Sequence, residues 1–216
     1  MMKLPLIYKE HASKRKRVVY KMIYYATKET LQRYKLKTPE QFESEKAPFV
    51  RAVVNRERGN RLFEWGCKLF YFDRRKCLQI MHFETKLVIF LVDLKVKDLE
   101  CVGDAVAHYL LDLYAGDSDM EQALKNYFAA APLVCFDRIT DKSIIASLNG
   151  VQSRWAWDGY RFYDYIKDGI LHTRKINREV NKMPQTRKIN GKEEWLFPYD
   201  LFAQTIKKYF GESYES

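Results

Sequence analysis

The sequence predicts an α+β domain: a small, mostly antiparallel sheet packed against several helices, with a basic N-terminal arm ahead of it. Three observations carry this reading. Apolar runs at 68–72, 77–83 and 86–92 follow one another with only polar turns between, the spacing of antiparallel hairpins. Leu99, Val102, Val106, Tyr109, Leu110 and Leu113 then recur by three and four, the period of an amphipathic helix. Finally, 216 residues that are 47% hydrophobic and 15% aromatic can bury a core without disulfides or metals, which excludes a wholly disordered chain.

The elements follow in order. Residues 1–20 begin apolar, end in Ser13-Lys14-Arg15-Lys16-Arg17 and show no period, so they read as a flexible basic arm before one domain over 21–216. A short helix is expected over Thr27–Tyr34, capped by Thr27. Segment 38–60 is charged, holds Pro39, Pro48 and Gly59, and reads as a loop or insertion. Three strands come next, with Asp73-Arg74-Arg75-Lys76 as the first turn. The helix over 98–114 stops before Gly116. A second helix opens at Ser118 with Glu121 in a capping box and ends before Pro132, and a fourth strand covers 133–136. Residues 140–166 read as helix in two pieces broken near Gly150 or Gly159, and Pro198–Phe210 as a last helix with Pro in its first turn. These helices are expected on one face of the sheet.

Several function classes drop out. The longest uncharged apolar run, Leu87–Val92, is far short of the roughly 20 residues of a membrane span, so no membrane partner is expected. Lys3, Lys9 and Glu10 stand where a signal peptide is apolar, which points to a cytoplasmic protein. Cys67, Cys77, Cys101 and Cys135 lack metal-site spacing and read as small hydrophobes in a reducing compartment. No phosphate-binding glycine motif occurs, and His11, His82, His108 and His172 are dispersed. No metal or cofactor follows from these patterns.

Charge is the strongest functional signal. The net charge of +10 is matched by residues 1–61 alone, which carry 16 basic and 6 acidic groups. A second island at 172–192 sets Arg174, Lys175, Arg178, Lys182, Arg187, Lys188 and Lys192 against Glu179. Lysine and arginine neutralise phosphates and release counterions, so Lys14, Arg15, Lys16 and Arg17, with Tyr20, Tyr24 and Tyr25 as stacking rings, point to nucleic acid. Arg74, Arg75 and Lys76 at the hairpin tip would join the arm and the island (Arg174, Lys175, Arg178, Arg187, Lys188) in one positive surface. Six aromatics between Trp155 and Tyr165 cover every face of a helix and read as core rather than as a platform.

Two other classes fit. The same cations suit a protein-binding module, an inhibitor or accessory subunit, that docks an acidic protein partner. A metal-dependent nuclease needs carboxylates for Mg²⁺ and a lysine beside the attacking water. Glu84-Thr85-Lys86 and Asp93-Leu94-Lys95, with Asp73 upstream, offer Asp73, Glu84, Asp93 and Lys95, and Mg²⁺ enters only here.

Tyr25-Ala26-Thr27-Lys28-Glu29-Thr30-Leu31, Leu69–Cys77, Thr140–Asn149, Asn181, Pro184 and Lys192–Pro198 with Trp195 together resemble a bacterial family known as a domain of unknown function. The resemblance spans roughly residues 22–210, with the arm and 38–60 as additions. It implies no reaction and no site residues, and the family position matching Asp93 is usually not acidic. The expected function is nucleic-acid binding through backbone phosphates, in a setting such as a phage or mobile element.

Overall fold

Why the main sheet is buried on both sides is visible in its strands, which carry apolar residues at odd and even positions alike. A computed structural model describes residues 21–41, 47–189 and 192–211. Its central sheet comprises β1 (Lys21–Ala26), β2 (Glu64–Phe72), β3 (Arg75–His82), β4 (Val88–Val92) and β5 (Leu133–Arg138), in the order β4-β3-β2-β1-β5. Strands β2, β3 and β4 form the expected antiparallel meander, whereas β1 runs parallel to both β2 and β5. The α+β class holds, with a mixed sheet at its centre. Two small antiparallel pairs stand apart: β6 (Ile166–Lys167) with β7 (Ile170–Leu171), and β8 (Gln185–Ile189) with β9 (Lys192–Leu196).

Seven helices complete the described fold: α1 (Lys28–Tyr34), α2 (Ala47–Glu57), α3 (Val102–Leu113), α4 (Ser118–Ala130), α5 (Lys142–Trp157), α6 (Thr173–Lys182) and α7 (Pro198–Phe210). They cover both faces of the sheet, not one. Met22, Tyr24, Trp65, Leu78, Ile80 and Ile89 pack with α3, α4 and α7. Their neighbours Ile23, Tyr25, Cys77, Met81, Val88 and Phe90 point the other way, into a second core with α5 and α6. Gly66 marks the closest approach: a Cβ there would lie 2.7 Å from Ile144 Cγ2, so α5 crosses β2 where only glycine fits.

Local chemistry sets the joints. Thr27 caps α1 by accepting from the Thr30 amide, and Thr30 Oγ1 accepts from the Leu69 amide at 2.8 Å, which pins α1 to β2. Asp73 and Arg74 turn the β2–β3 hairpin, with φ of 48° and 63° in the two-residue geometry that matches strand twist. The cap of α4 is Asp117, which accepts from the Met120 amide, one residue before the expected Ser118. Helix α5 passes through Gly150 and ends at Trp157, and Gly159 (φ 78°) makes the turn after it. Within 38–60, expected as a loop or insertion, residues 47–57 form α2 in place of a loop: Pro48 sits in the first turn, where it is tolerated, and Val53 and Val54 bury. The arm at 1–20 lies outside the described residues.

Helix α6 closes the sheet. Asn181 Oδ1 accepts from the Val88 amide (2.8 Å) and its Nδ2 donates to the Val88 carbonyl (2.6 Å). Asn177 does the same for Phe90, at 2.7 and 3.3 Å. Four residues along a helix rise about 6 Å and two along a strand about 6.7 Å, so the two amides meet successive outward-facing peptide groups of β4. Asn181→Leu would leave the buried N–H and C=O of Val88 unpaired and should cost about 2–4 kcal/mol. A lowered denaturant midpoint at unchanged m-value is the expected readout, and an unchanged midpoint would deny the contact its role.

Candidate functional site

Strands β1 and β5 run side by side, with Tyr25 opposite Asp137 and Ala26 opposite Arg138. Thr27 then caps α1, and Asp141 caps α5 through the Ser143 and Ile144 amides. Between them a cleft of about 1130 Å³ opens over this end of the sheet. Tyr25, Glu64, Asp137 and Phe83 line it, all buried. Its rim carries the exposed cations Lys28, Lys35, Lys37, Arg58, Arg61 and Arg138, interspersed with Glu40 and Asp141.

The buried carboxylates are held by donors. Glu64, 4% exposed, accepts at Oε1 from the Gly59 amide (2.7 Å) and from the Tyr25 hydroxyl (3.0 Å). Asp137, 5% exposed, accepts at Oδ2 from Arg58 (2.7 Å) and at Oδ1 from the Arg138 amide (2.7 Å). Burial first, and the adjacent Glu64 carboxylate second, push the Tyr25 hydroxyl far above its ordinary value, so it stays a donor. At Asp141 burial works upward, but hydrogen bonds from Ser143 and Ile144 prevail and hold the carboxyl below its usual range.

Arg61 divides this cleft from a smaller one of about 550 Å³ between the 59–62 turn and α7. Its guanidinium lies over the Phe83 ring at 5.4 Å, donates to the Phe83 carbonyl, and stands 3.6 Å from both Glu84 and Asp141. Lys208 and the exposed Tyr209 line the far cleft. The two clefts adjoin at Arg61, and the pair is termed the Arg61 groove. Lys76 lies outside both linings, its ammonium 4.8 Å from the ring of the buried Tyr34.

The sequence-predicted cations divide. Lys14, Arg15, Lys16 and Arg17 lie outside the described residues, as does Tyr20. Arg74 is exposed at the hairpin tip, while Arg75 pairs with Asp93 at 2.6 Å. Arg174 pairs with Asp112 at 3.0 Å, Lys175 stands over Tyr165, and Arg178 is exposed on α6. Helix α6 flanks β4, at the opposite edge of the sheet from β5, so its cations do not extend the groove. Arg187 and Lys188 belong to β8. Tyr24 and Tyr25, expected as stacking rings, are buried in β1 because their strand is central. Of the aromatic stretch, Trp155, Phe162 and Tyr165 are core, while Trp157 (90%), the last residue of α5, and Tyr163 (57%) are exposed.

The nuclease arrangement does not assemble. Asp73 turns the β2–β3 hairpin, where its carboxylate accepts from the Phe162 amide, and Asp93 is tied to Arg75 near the same end. Glu84 sits past the other end of β3, about 25 Å away along an eight-residue strand. Lys95 begins the turn into α3, its amide bonded to Asp98. Among the described residues, no group of three or more His, Cys, Asp or Glu could hold a metal ion. Apart from Tyr25 and Glu84, singled out for other roles, the groove residues escaped sequence reading, because they come from positions 25 to 209. The one local signal is Asp137, a buried carboxylate that follows the apolar run 133–136 in β5.

Residues 23–201 match the family described as a domain of unknown function, DUF6933. The chain belongs to that family. No curated protein matches it significantly. The family segments named above supply fold-defining parts: Thr27 and Thr30 of the α1 cap, Asp73 and Arg74 of the hairpin turn, Asp141 of the α5 cap, and Asn181 on the β4 edge. Lys28 and Asp141 also face the groove. No described helix is long and apolar enough to cross a membrane.

Of the histidines, His82 is fully buried between Trp65 and Phe202, its ring bonded to Thr85 Oγ1 (2.9 Å) and the Leu62 carbonyl (3.0 Å). Burial, opposed by the Leu62 bond, lowers its pKa from 6.5 to about 4. Neutral His82 therefore stabilises the fold fully above pH 6.5. That contribution, up to about 3 kcal/mol, is lost as pH falls towards 4, because the unfolded chain protonates first. Stability measured from pH 7 to 4.5 should fall less steeply in His82→Gln than in the wild type; equal slopes would contradict the assignment.

Proposed function

We propose that the chain is a cytoplasmic nucleic-acid-binding protein that tracks a phosphate backbone along the Arg61 groove. The observation that carries this reading is the groove itself: two adjoining clefts whose rims present Lys28, Lys35, Lys37, Arg58, Arg61, Arg138 and Lys208. A phosphate chain offers charges at regular spacing to such a row, and contacts of this kind position a strand without reading its sequence. Asp137 and Glu40 pair with Arg58, and Glu84 and Asp141 with Arg61, so in this reading Lys28, Lys35, Lys37, Arg138 and Lys208 carry most of the phosphate contact. The basic arm with Lys14, Arg15, Lys16 and Arg17 adds phosphate contacts in this reading. Exposed Tyr209 offers a ring at one end for an unstacked base.

Neither the hairpin cation Lys76, which stands over Tyr34, nor the α6 cations line the clefts. A salt-titrated binding assay with a fluorescent single-stranded decamer separates these assignments. Lys28→Gln with Lys37→Gln should lower affinity and flatten the log–log salt slope by about 1.4, roughly 0.7 per lost phosphate contact on a single strand. Deleting residues 1–19 should flatten it further. Arg174→Gln with Arg178→Gln should leave it unchanged. Salt-independent binding, or none at physiological salt, would refute the reading.

A further inference from the structure

We infer that the wide cleft receives one unpaired nucleotide and reads the amino group on its base through Oε2 of Glu64, an inference that rests on the nucleic-acid reading of the groove. Glu64 is 4% exposed and lines the cleft. Its Oε1 is fixed by the Gly59 amide and the Tyr25 hydroxyl, which orients the carboxylate. None of the described donors reaches Oε2. Asp137 is different, because both of its oxygens already accept hydrogen bonds. The cleft therefore holds one oriented acceptor inside a cationic rim, and a ligand that satisfies both must bring an anion and an N–H donor together.

The rest of the wall suits a flat ring. Tyr25 and Phe83 stack at 5.3 Å with planes 25° apart, and the Arg61 guanidinium lies over Phe83. A guanidinium plane is a stacking surface for a base. At about 1130 Å³ the cleft exceeds what one nucleotide fills, so flanking backbone fits along Lys28, Lys35 and Lys37 while a single base turns inward. A carboxylate accepts from the 4-amino group of cytosine and repels the carbonyl oxygen that uracil carries at the same position. Bases with an exposed amino group are therefore preferred over uracil and thymine.

The test compares CMP with UMP by calorimetry, since the two rings have the same size and differ at that group. Beside it runs the salt titration of a decathymidylate strand, which reports backbone binding alone. The wild type should bind CMP about tenfold or more tightly than UMP. Glu64→Gln is isosteric: its carbonyl oxygen can still accept from Tyr25 and Gly59, while an N–H₂ replaces Oε2. That variant should abolish or invert the preference and leave the decathymidylate salt slope intact. Equal binding of CMP and UMP to the wild type, or a preference that survives Glu64→Gln, would overturn the inference while a salt-dependent strand affinity upheld the groove. Absence of both kinds of binding would overturn the two together.

Discussion

The amide pairing of Asn177 and Asn181 with β4 is the contact on which the architecture turns. A strand at a sheet edge exposes a row of unpaired N–H and C=O groups that invite another chain. Here two side chains one helical turn apart satisfy four such groups, and both residues are buried. The sheet is thereby closed at β4, and α6 is locked in register against it. That register carries Ile176 and Val180 into the second core, with Val88 and Phe90. It also sets where the α6 cations go: Arg174 is drawn to Asp112 on α3 and away from the β1–β5 end.

At that other end the balance of forces is different. Placing carboxylates on the buried face of a sheet is costly unless donors reach them, and the 58–59 turn supplies one to each, beside those of Tyr25 and the Arg138 amide. Arg58 and the Gly59 amide hold Asp137 and Glu64, so the turn is drawn down over the sheet. Positive φ at Gly59 allows that descent, and Arg61 two residues later is left over Phe83 between the two clefts. The groove is thus a by-product of satisfying two acids. Because those acids are satisfied, the exposed cations on the rim set the character of the surface.

How much was legible in the sequence follows from which forces were local. The β2–β3–β4 meander, the Thr27 cap and α7 were readable because alternation, a capping residue and a leading proline act within a few positions. Strand β1 was not, since Lys21–Ala26 is one short apolar run beside a basic arm, and only pairing with β2 and β5 makes it the centre of the sheet. Helix α6 hid for the opposite reason. Its buried side includes two asparagines, so the apolar stripe is short and the segment reads as a charged island. The covering of the second face was missed because β4 and residues 22–26 of β1 are apolar at every position, a pattern that says "buried" without saying by what.

The charge imbalance acquires a spatial meaning once the fold is known. The excess of cations in residues 1–61 looked like a property of a tail, yet Lys28, Lys35, Lys37, Arg58 and Arg61 all come from the same stretch and meet at one groove. They meet because α1, the turn at 39–41 and the turn at 58–61 are all segments of the connection between parallel strands β1 and β2, which must cross the sheet and return to its starting end. Arg138 joins them from β5, the strand paired to β1 on the other side. Charge that is contiguous in the chain becomes contiguous on the surface only where topology folds the chain back on itself. The 172–192 island lacks that return: α6 is spent on sealing β4, its neighbours Asp112 and Tyr165 take up Arg174 and Lys175, and its own Glu179 pairs with Lys182. Two basic segments that are alike in composition therefore do different work, one bracing the fold and the other rimming the groove.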